Sequence, residues 1–402
     1  MPVTIGSGVT ISGGLTFSAP PPVTTTWVSP ADASSIGTFT QNSAITPVQL
    51  TATTNSGTVQ YTVTTGALPT GLSLGLSTGQ ITGTPTATGT AQSFTVSAVS
   101  NDGGSAVTRS FTWTVNAAPL VGSWSAGGNM GTARQGLAGA GTQTAGLAAG
   151  GAITAAATRT TATEEYDGAA WAAGGAMTTA RYNFAGAGTQ TAGLVFGGSA
   201  ASPATTNATE EYDGTSWASG GNMGTARQAL AGAGTQNEGL AFSGFNASFV
   251  AAGATEEYNG STWSAGGTIS TPSINPAGAG TQNEALVFGG SNSSFSALLT
   301  ATFEYNGSTW SAGGAMTTAK YNMGGLGSQN AGLGFGGSGP STGGTGLATT
   351  QEYNGTSWSN GGSLATAREF LAGAGTQAAG LGFGGTTSVG STSLSATEEY
   401  TK

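Results

Sequence analysis

The chain has 402 residues, length for two or three domains, yet only 6% are Asp, Glu, Lys or Arg where about 25% is usual in soluble proteins. It has no Cys and no His, which excludes disulfides, thiolate metal sites and thiol nucleophiles, and removes the commonest general base and transition-metal ligand. A net charge of −9 offers no basic footprint for nucleic acid, and regularly placed aromatic and β-branched residues argue against disorder despite 72 glycines.

In chain order, Met1–Ser18 comes first, with Val3, Ile5, Val9, Ile11, Leu15 and Phe17 set among Gly, Ser and Thr. Met1–Ile11 lacks the basic and apolar regions of a cleaved export signal, and no run of the chain approaches a membrane span. Pro20-Pro21-Pro22 follows as a stiff spacer. So short a piece cannot bury its own apolar residues. It is expected either to dock on a partner or a symmetry mate by adding strands, or to be a loose terminal strand of the next module.

From Thr24 to Val115 the pattern alternates as strands do, in Val59-Tyr61-Val63, Phe94-Val96-Ala98 and Phe111-Trp113-Val115. The phrase Gly66-Ala67-Leu68-Pro69-Thr70-Gly71-Leu72-Ser73-Leu74, followed by Ser77-Thr78-Gly79-Gln80-Ile81-Thr82-Gly83-Thr84-Pro85, resembles the Ig-like, cadherin-like domains of bacterial and phage surface proteins. That resemblance implies a β-sandwich spacer. With only Asp32 and Asp102 as acids, no calcium clamp is expected. Asn116–Pro119 reads as a hinge, which gives three pieces: 1–23, 24–118 and 119–402.

The third piece is a repeat. Trp124, Trp171, Trp217, Trp263, Trp310 and Trp358 are each followed after 19 residues by a Gln, and after a further 8 by a Gly. A Tyr comes next, at 166, 212, 258, 305, 353 and 400, and the first five precede the next Trp by 5 residues. Only the Gly-to-Tyr interval varies, from 14 to 16. Each unit reads as four short strands, for example Ala185–Gln190, Gly193–Gly198, Ala208–Tyr212 and Ser216–Gly221, with Asp213-Gly214 suited to a type I′ hairpin turn. A period near 47 with four strands predicts propeller blades: small Ala and Gly inside, Tyr and Trp filling the wedge outside. A stacked solenoid is the alternative. The ends of the repeat argue against it, because Ser123-Trp124-Ser125 has no preceding Tyr and Tyr400 has no following Trp. The first strand is therefore expected to complete the last blade and remove a free sheet edge.

The run Ala226-Arg227, Gly244, Glu211-Tyr212 and Trp217 resembles the kelch repeat, with the glycine pair intact at Gly150-Gly151, Gly197-Gly198, Gly289-Gly290, Gly336-Gly337 and Gly384-Gly385. The EEY-(D/N)-G-(T/S)-(S/T)-W and AGAGTQ-x-x-GL phrases also resemble kelch-like repeats of structural proteins of tailed bacteriophages. The expected fold is all-β: an Ig-like β-sandwich followed by a six-bladed kelch-like β-propeller closed by an N-terminal fourth strand. Kelch members that are copper radical oxidases use Cys and His, which this chain lacks, and there is no Asp box of the sialidase kind.

Ten of the seventeen acids are Glu in the two positions before the repeat Tyr, as in Glu164-Glu165 and Glu210-Glu211. Adjacent strand residues face opposite ways, and repetition in every unit points to the frame, not to a catalytic pair. Arg134, Arg181, Arg227, Lys320 and Arg368 stand nine residues before the repeat Gln, with Ser273 in the fourth unit. They either pair with Glu of neighbouring blades or form a cationic ring for an anionic sugar or a protein carboxylate. The variable loops are the candidate recognition elements, with Phe245, Phe249 and Phe295 as candidate stacking residues. No residue reads as catalytic and no cofactor or metal is expected.

The expected function is that of a non-enzymatic structural and adhesion protein on the exterior of a tailed-phage virion, as a tail or capsid appendage. Its partners would be other virion proteins through the N-terminal segment, a host-surface glycan or protein, and further copies of itself in a homo-oligomer; neither nucleic acid nor membrane insertion is expected. The alternatives are a bacterial surface or secreted adhesin, and a polysaccharide-acting propeller enzyme. A single acidic cluster in the axial cleft, breaking the sixfold pattern, would favour the enzyme.

Overall fold

The computed structural model describes residues 21–29, 35–117, 121–154, 158–201, 204–339, 345–388 and 390–402. The expectations for Met1–Ser18 and for the end of the hinge fall outside them. The chain divides after Leu120 into two compact units.

Alternation builds the first unit. Phe94, Val96 and Ala98 of strand Gly89–Ser100 are buried, as are Phe111, Trp113 and Val115 of strand Val107–Asn116. These two long strands lie at the centre of a four-stranded sheet, ordered Gly37–Thr40, Val107–Asn116, Gly89–Ser100, Val59–Gly66, in which only the first pair is parallel. Val48–Gln49, Gln80–Gly83 and Leu72–Leu74 form a second sheet, and Thr25–Ser29 pairs with Thr51–Thr54. Leu50, Ile81 and Tyr61 complete the core, and the Tyr61 hydroxyl accepts the Ala52 amide at 2.8 Å. Gly71 must be glycine: its φ is +92° and an added Cβ would lie 2.0 Å from the Thr84 carbonyl oxygen.

The second unit contains six four-stranded antiparallel sheets among its described residues. Their first strands, which number the sheets, are Ala138–Thr142, Ala185–Gly188, Ala231–Gly234, Ala277–Gly280, Gly324–Ser328 and Ala372–Gly375. Sheet 2 continues through Gly193–Phe196, Thr209–Tyr212 and Trp217–Ser219. Its second strand is buried throughout, as its unbroken apolar run requires. The glycine pair that ends that strand is steric: at Gly198, φ +94°, a Cβ would fall 2.6 Å from that of Phe184.

The turn between third and fourth strands differs from the type I′ expectation. Tyr212 pairs with Trp217 across a longer loop, with Gly214 at φ +88° and Asp213 outside the positive-φ region. The Asp213 carboxylate instead accepts the amides of Thr215 and Ser216, at 2.8 and 2.7 Å. These bonds hold its carboxyl below the usual carboxylate range. Asp or Asn is chosen here as an internal cap, not for its backbone freedom.

Sheet 6 takes its fourth strand from the start of the unit. Ser123–Ala126 pairs antiparallel with Thr397–Thr401, setting Trp124 opposite Tyr400. The Trp124 ring lies 5.0 Å from that of Tyr400 and 4.8 Å from Phe335 of sheet 5. The first strands touch in numerical order, and that of sheet 6 touches that of sheet 1. Trp124→Ala should cost about 3 kcal/mol and lower the melting temperature of the second unit by about 5 °C. Scanning calorimetry measures this, and an unchanged melt would contradict the pairing.

Candidate functional site

Three side-chain bonds recur at each seam between consecutive sheets. The Tyr hydroxyl of one sheet donates to the second Glu of the preceding sheet: Tyr212 to Glu165 at 2.5 Å, Tyr305 to Glu257 at 2.5 Å and Tyr353 to Glu304 at 2.6 Å. Tyr258 bonds Glu211 and Tyr400 bonds Glu352 in the same way. Between sheets 6 and 1, Tyr166 donates to Glu399 at 2.6 Å. The Trp indole donates to a Thr hydroxyl of the preceding sheet, as Trp217 to Thr163 at 2.9 Å and Trp171 to Thr397 at 2.9 Å. The repeat Gln donates to two carbonyls there, Gln190 to Gly146 and Tyr166 at 3.1 and 2.7 Å. Burial, then the Glu bond, pushes Tyr166, Tyr212, Tyr258 and Tyr353 up to about 12. The Thr that meets the indole stands three residues before every repeat Tyr. That constant interval is the sequence signal of the seam bond.

The basic residues require a correction. Arg134, Arg181, Arg227, Lys320 and Arg368 are wholly buried, so they form no surface ring, and the four arginines pair with Glu of their own sheet, not of a neighbour. Arg181 shows the pattern: it donates to the Gly197 and Ala208 carbonyls at 3.2 and 2.8 Å and to Glu210 at 2.5 Å. Glu210 in turn accepts the Thr178 amide at 2.6 Å. The clamp thus ties the connection before the first strand to the glycine pair and the third strand. Desolvation lowers each arginine's pKa against the opposing pull of its Glu. Such a buried pair fixes geometry more than it adds stability.

Two sheets break this pattern. In sheet 4 Ser273 replaces Arg and Phe303 replaces its Glu, leaving a cavity between them too small for water. In sheet 5 Lys320 faces Gln351 in place of Glu; its ammonium donates to the Thr349 carbonyl at 3.0 Å, and burial pulls its pKa down to about 7. In sheet 4 both partners are lost together, as expected where a lone buried charge is costly; in sheet 5 the buried amine outlasts its carboxylate, and the lowered pKa relieves the charge instead.

Six residues that precede the first strands of the sheets form a ring of backbone hydrogen bonds. Gly136, Asn183, Ala229, Asn275, Asn322 and Phe370 all have φ between 52° and 59°. Each amide donates to the carbonyl of the ring residue before it, from Asn183 to Gly136 at 2.9 Å round to Gly136 to Phe370 at 2.8 Å. Their side chains share no chemistry, so no pattern marked them. They line a cavity of about 80 Å³. Beside the ring sits Glu369, fully buried; its Oε2 accepts from the Ser338 hydroxyl and from the Asn322 side-chain Nδ2 at 3.0 Å, while its Oε1 has no hydrogen-bond partner.

The stacking candidates separate. Phe245 is buried against Ala229 and Ile274 and is not a surface residue. Phe249 and Phe295 are 54% and 48% exposed. Phe249 stacks on Phe245 with centroids 5.2 Å apart, and Phe295 leans toward Tyr321 at 6.5 Å.

Comparison with known proteins bears first on the N-terminal unit. Residues 21–116 match the family described as "Putative Ig domain". The N-terminal unit is an Ig-like domain. No curated protein matches the chain. Among solved structures, one titled "Structure of YjhT" is similar at 14% identity and a TM-score of 0.58, over 69% of this chain and 97% of that one. The Ig-like domain is thus followed by a repeat of four-stranded sheets, and the chain as a whole is all-β.

Stability should have a maximum in pH. Lys320 binds its proton in the unfolded chain up to about pH 10.5 but in the folded chain only to about 7, so stability rises between these values. The seam tyrosines lose their protons first in the unfolded chain, from about pH 10, so stability falls above it. Urea midpoints should show both limbs, and Lys320→Met should remove the rise alone; an unaltered rise would contradict the assignment. In sheet 4, Ser273→Arg and Phe303→Glu should each destabilise the fold. Combined, they should recover about 2 kcal/mol of coupling in a double-mutant cycle.

Proposed function

We propose that the second unit is a six-bladed kelch-type β-propeller closed by Ser123–Ala126, and that the chain is a non-enzymatic adhesion protein on the exterior of a tailed-phage virion. The observation that carries closure is that the Tyr–Glu bond between sheets 6 and 1 repeats those at the other five seams. A rigid frame that leaves apolar side chains exposed in its loops is suited to binding. The EEY and AGAGTQ phrases support a phage origin, with the Ig-like domain as spacer. Met1–Ser18 would attach the protein to other virion proteins or to further copies, leaving the propeller free to meet a host-surface glycan or protein.

One observation favours a polysaccharide-acting enzyme: Glu369 breaks the sixfold pattern near the axis. It weighs less, because glycosidase chemistry uses two carboxylates beside the scissile bond and Glu369 is fully covered. Antibody against the 386–395 loop should label purified particles from outside, and deletion of Met1–Ser18 should abolish incorporation while leaving a folded protein. Unlabelled particles that contain the chain would contradict the orientation. Turnover of polysaccharide that disappears in Glu369→Gln would favour the enzyme.

A further inference from the structure

Five large apolar side chains are exposed among the described residues of the second unit, and four of them, Ile153, Phe249, Val250 and Phe295, lie in the variable loops after second strands. The two phenylalanines are presented alike. Asn246-Ala247-Ser248-Phe249 and Asn292-Ser293-Ser294-Phe295 are turns in successive sheets, each closed by the Phe amide donating to the Asn carbonyl, at 2.9 and 3.0 Å. The Asn246 side chain accepts the Ser248 and Val250 amides, and that of Asn292 accepts the Ser296 and Ala297 amides. Both phenylalanines have positive φ, 58° and 55°, a conformation costly for a bulky residue and kept only where the surroundings enforce it. The loops are joined by the Ala251 amide donating to the Ser293 hydroxyl at 3.3 Å. Two rings are thus held out to solvent with little freedom left to lose on binding.

The loop surroundings narrow the occupant. Residues 245–253 and 291–301 contain no ionisable side chain, in a molecule of net charge −9 that would repel anions. The loops that carry the rings are polar but uncharged, with hydroxyls and side-chain amides from Asn246, Ser248, Asn292, Ser294 and Ser296. An uncharged pyranose offers the complement: an apolar C–H face for a ring and hydroxyls at its rim. We propose that Phe249 and Phe295 form a platform for an uncharged, pyranose-based glycan, an inference that rests on the adhesion reading and names its ligand class.

The full chain is titrated calorimetrically with hexasaccharides of glucose, mannose, galactose and N-acetylglucosamine, and with hexagalacturonate as the anionic probe. At least one neutral probe should bind with Kd of about 0.1–1 mM. Phe249→Leu and Phe295→Leu should weaken it at least about fivefold with an unchanged melt, and Phe249→Trp should retain it. The proposal is overturned if no neutral probe binds, if hexagalacturonate is preferred, or if the Leu variants bind as tightly. Binding of labelled full chain to intact host cells separates the two readings. Cell binding indifferent to both Leu substitutions leaves adhesion standing and removes the platform, whereas probe binding through the rings without cell binding does the reverse.

Discussion

Every repeat tyrosine is buried with a hydroxyl that needs a partner, and its own sheet does not supply one. The carboxylate that accepts it belongs to the preceding sheet, at all six seams. A four-stranded sheet of Ala, Gly and a few aromatics has little core of its own; its aromatic residues are covered only when the neighbour is present. Trp171 shows this, lying 5.0 Å from Tyr166 in its own sheet and 4.9 Å from Phe383 in the sheet before. The polar bonds set the register of neighbouring sheets, and the aromatic contacts supply the apolar burial. The borrowed fourth strand of sheet 6 follows from the same constraint: without it, Tyr400 would lose its cross-strand partner Trp124, and sheet 6 would be one strand short of the other five.

The adjacent acids divide the work. Within each complete pair, one carboxylate turns to the arginine of its own sheet and the next turns to the tyrosine across the seam. This uses the two faces of a strand in full, and it accounts for a protein so poor in charge placing most of its acids beside tyrosine. Sheets 4 and 5 show which half is dispensable: both keep the seam carboxylate, Glu304 and Glu352, while the clamp becomes Ser273 with Phe303 and Lys320 with Gln351.

Much of the fold was legible in the sequence because it rests on invariant side chains. The Trp, Gln, Gly and Tyr intervals located the four strands, and the unmatched Trp124 and Tyr400 located the shared sheet. The burial of the arginines was not legible, because an isolated cation at regular spacing reads equally as surface or core. What decides it is the carbonyl pair that each guanidinium reaches, and folding alone brings those together. The hydrogen-bonded ring was hidden for a different reason: its bonds are backbone to backbone, so Gly, Asn, Ala and Phe serve equally at a common φ. Phe245 and Phe249 could not be separated by spacing either. One is covered by the other, a relation set by the loop's turn and not by its composition.

A frame fixed by seams leaves the loops free to vary, and the Gly-to-Tyr interval is where length varies along the chain. That division gives the adhesion reading its physical basis, and it depends on the ring being closed. Native-state hydrogen exchange tests closure most directly, read at the amides of Gly136, Asn183, Ala229, Asn275, Asn322 and Phe370. The Gly136 amide crosses from sheet 1 to sheet 6, donating to Phe370 at 2.8 Å. In a closed ring all six exchange together, at the rate of global unfolding of the unit. Exchange at Gly136 about a hundredfold faster than at Ala229 would mean that the seam opens on its own, and would contradict the account.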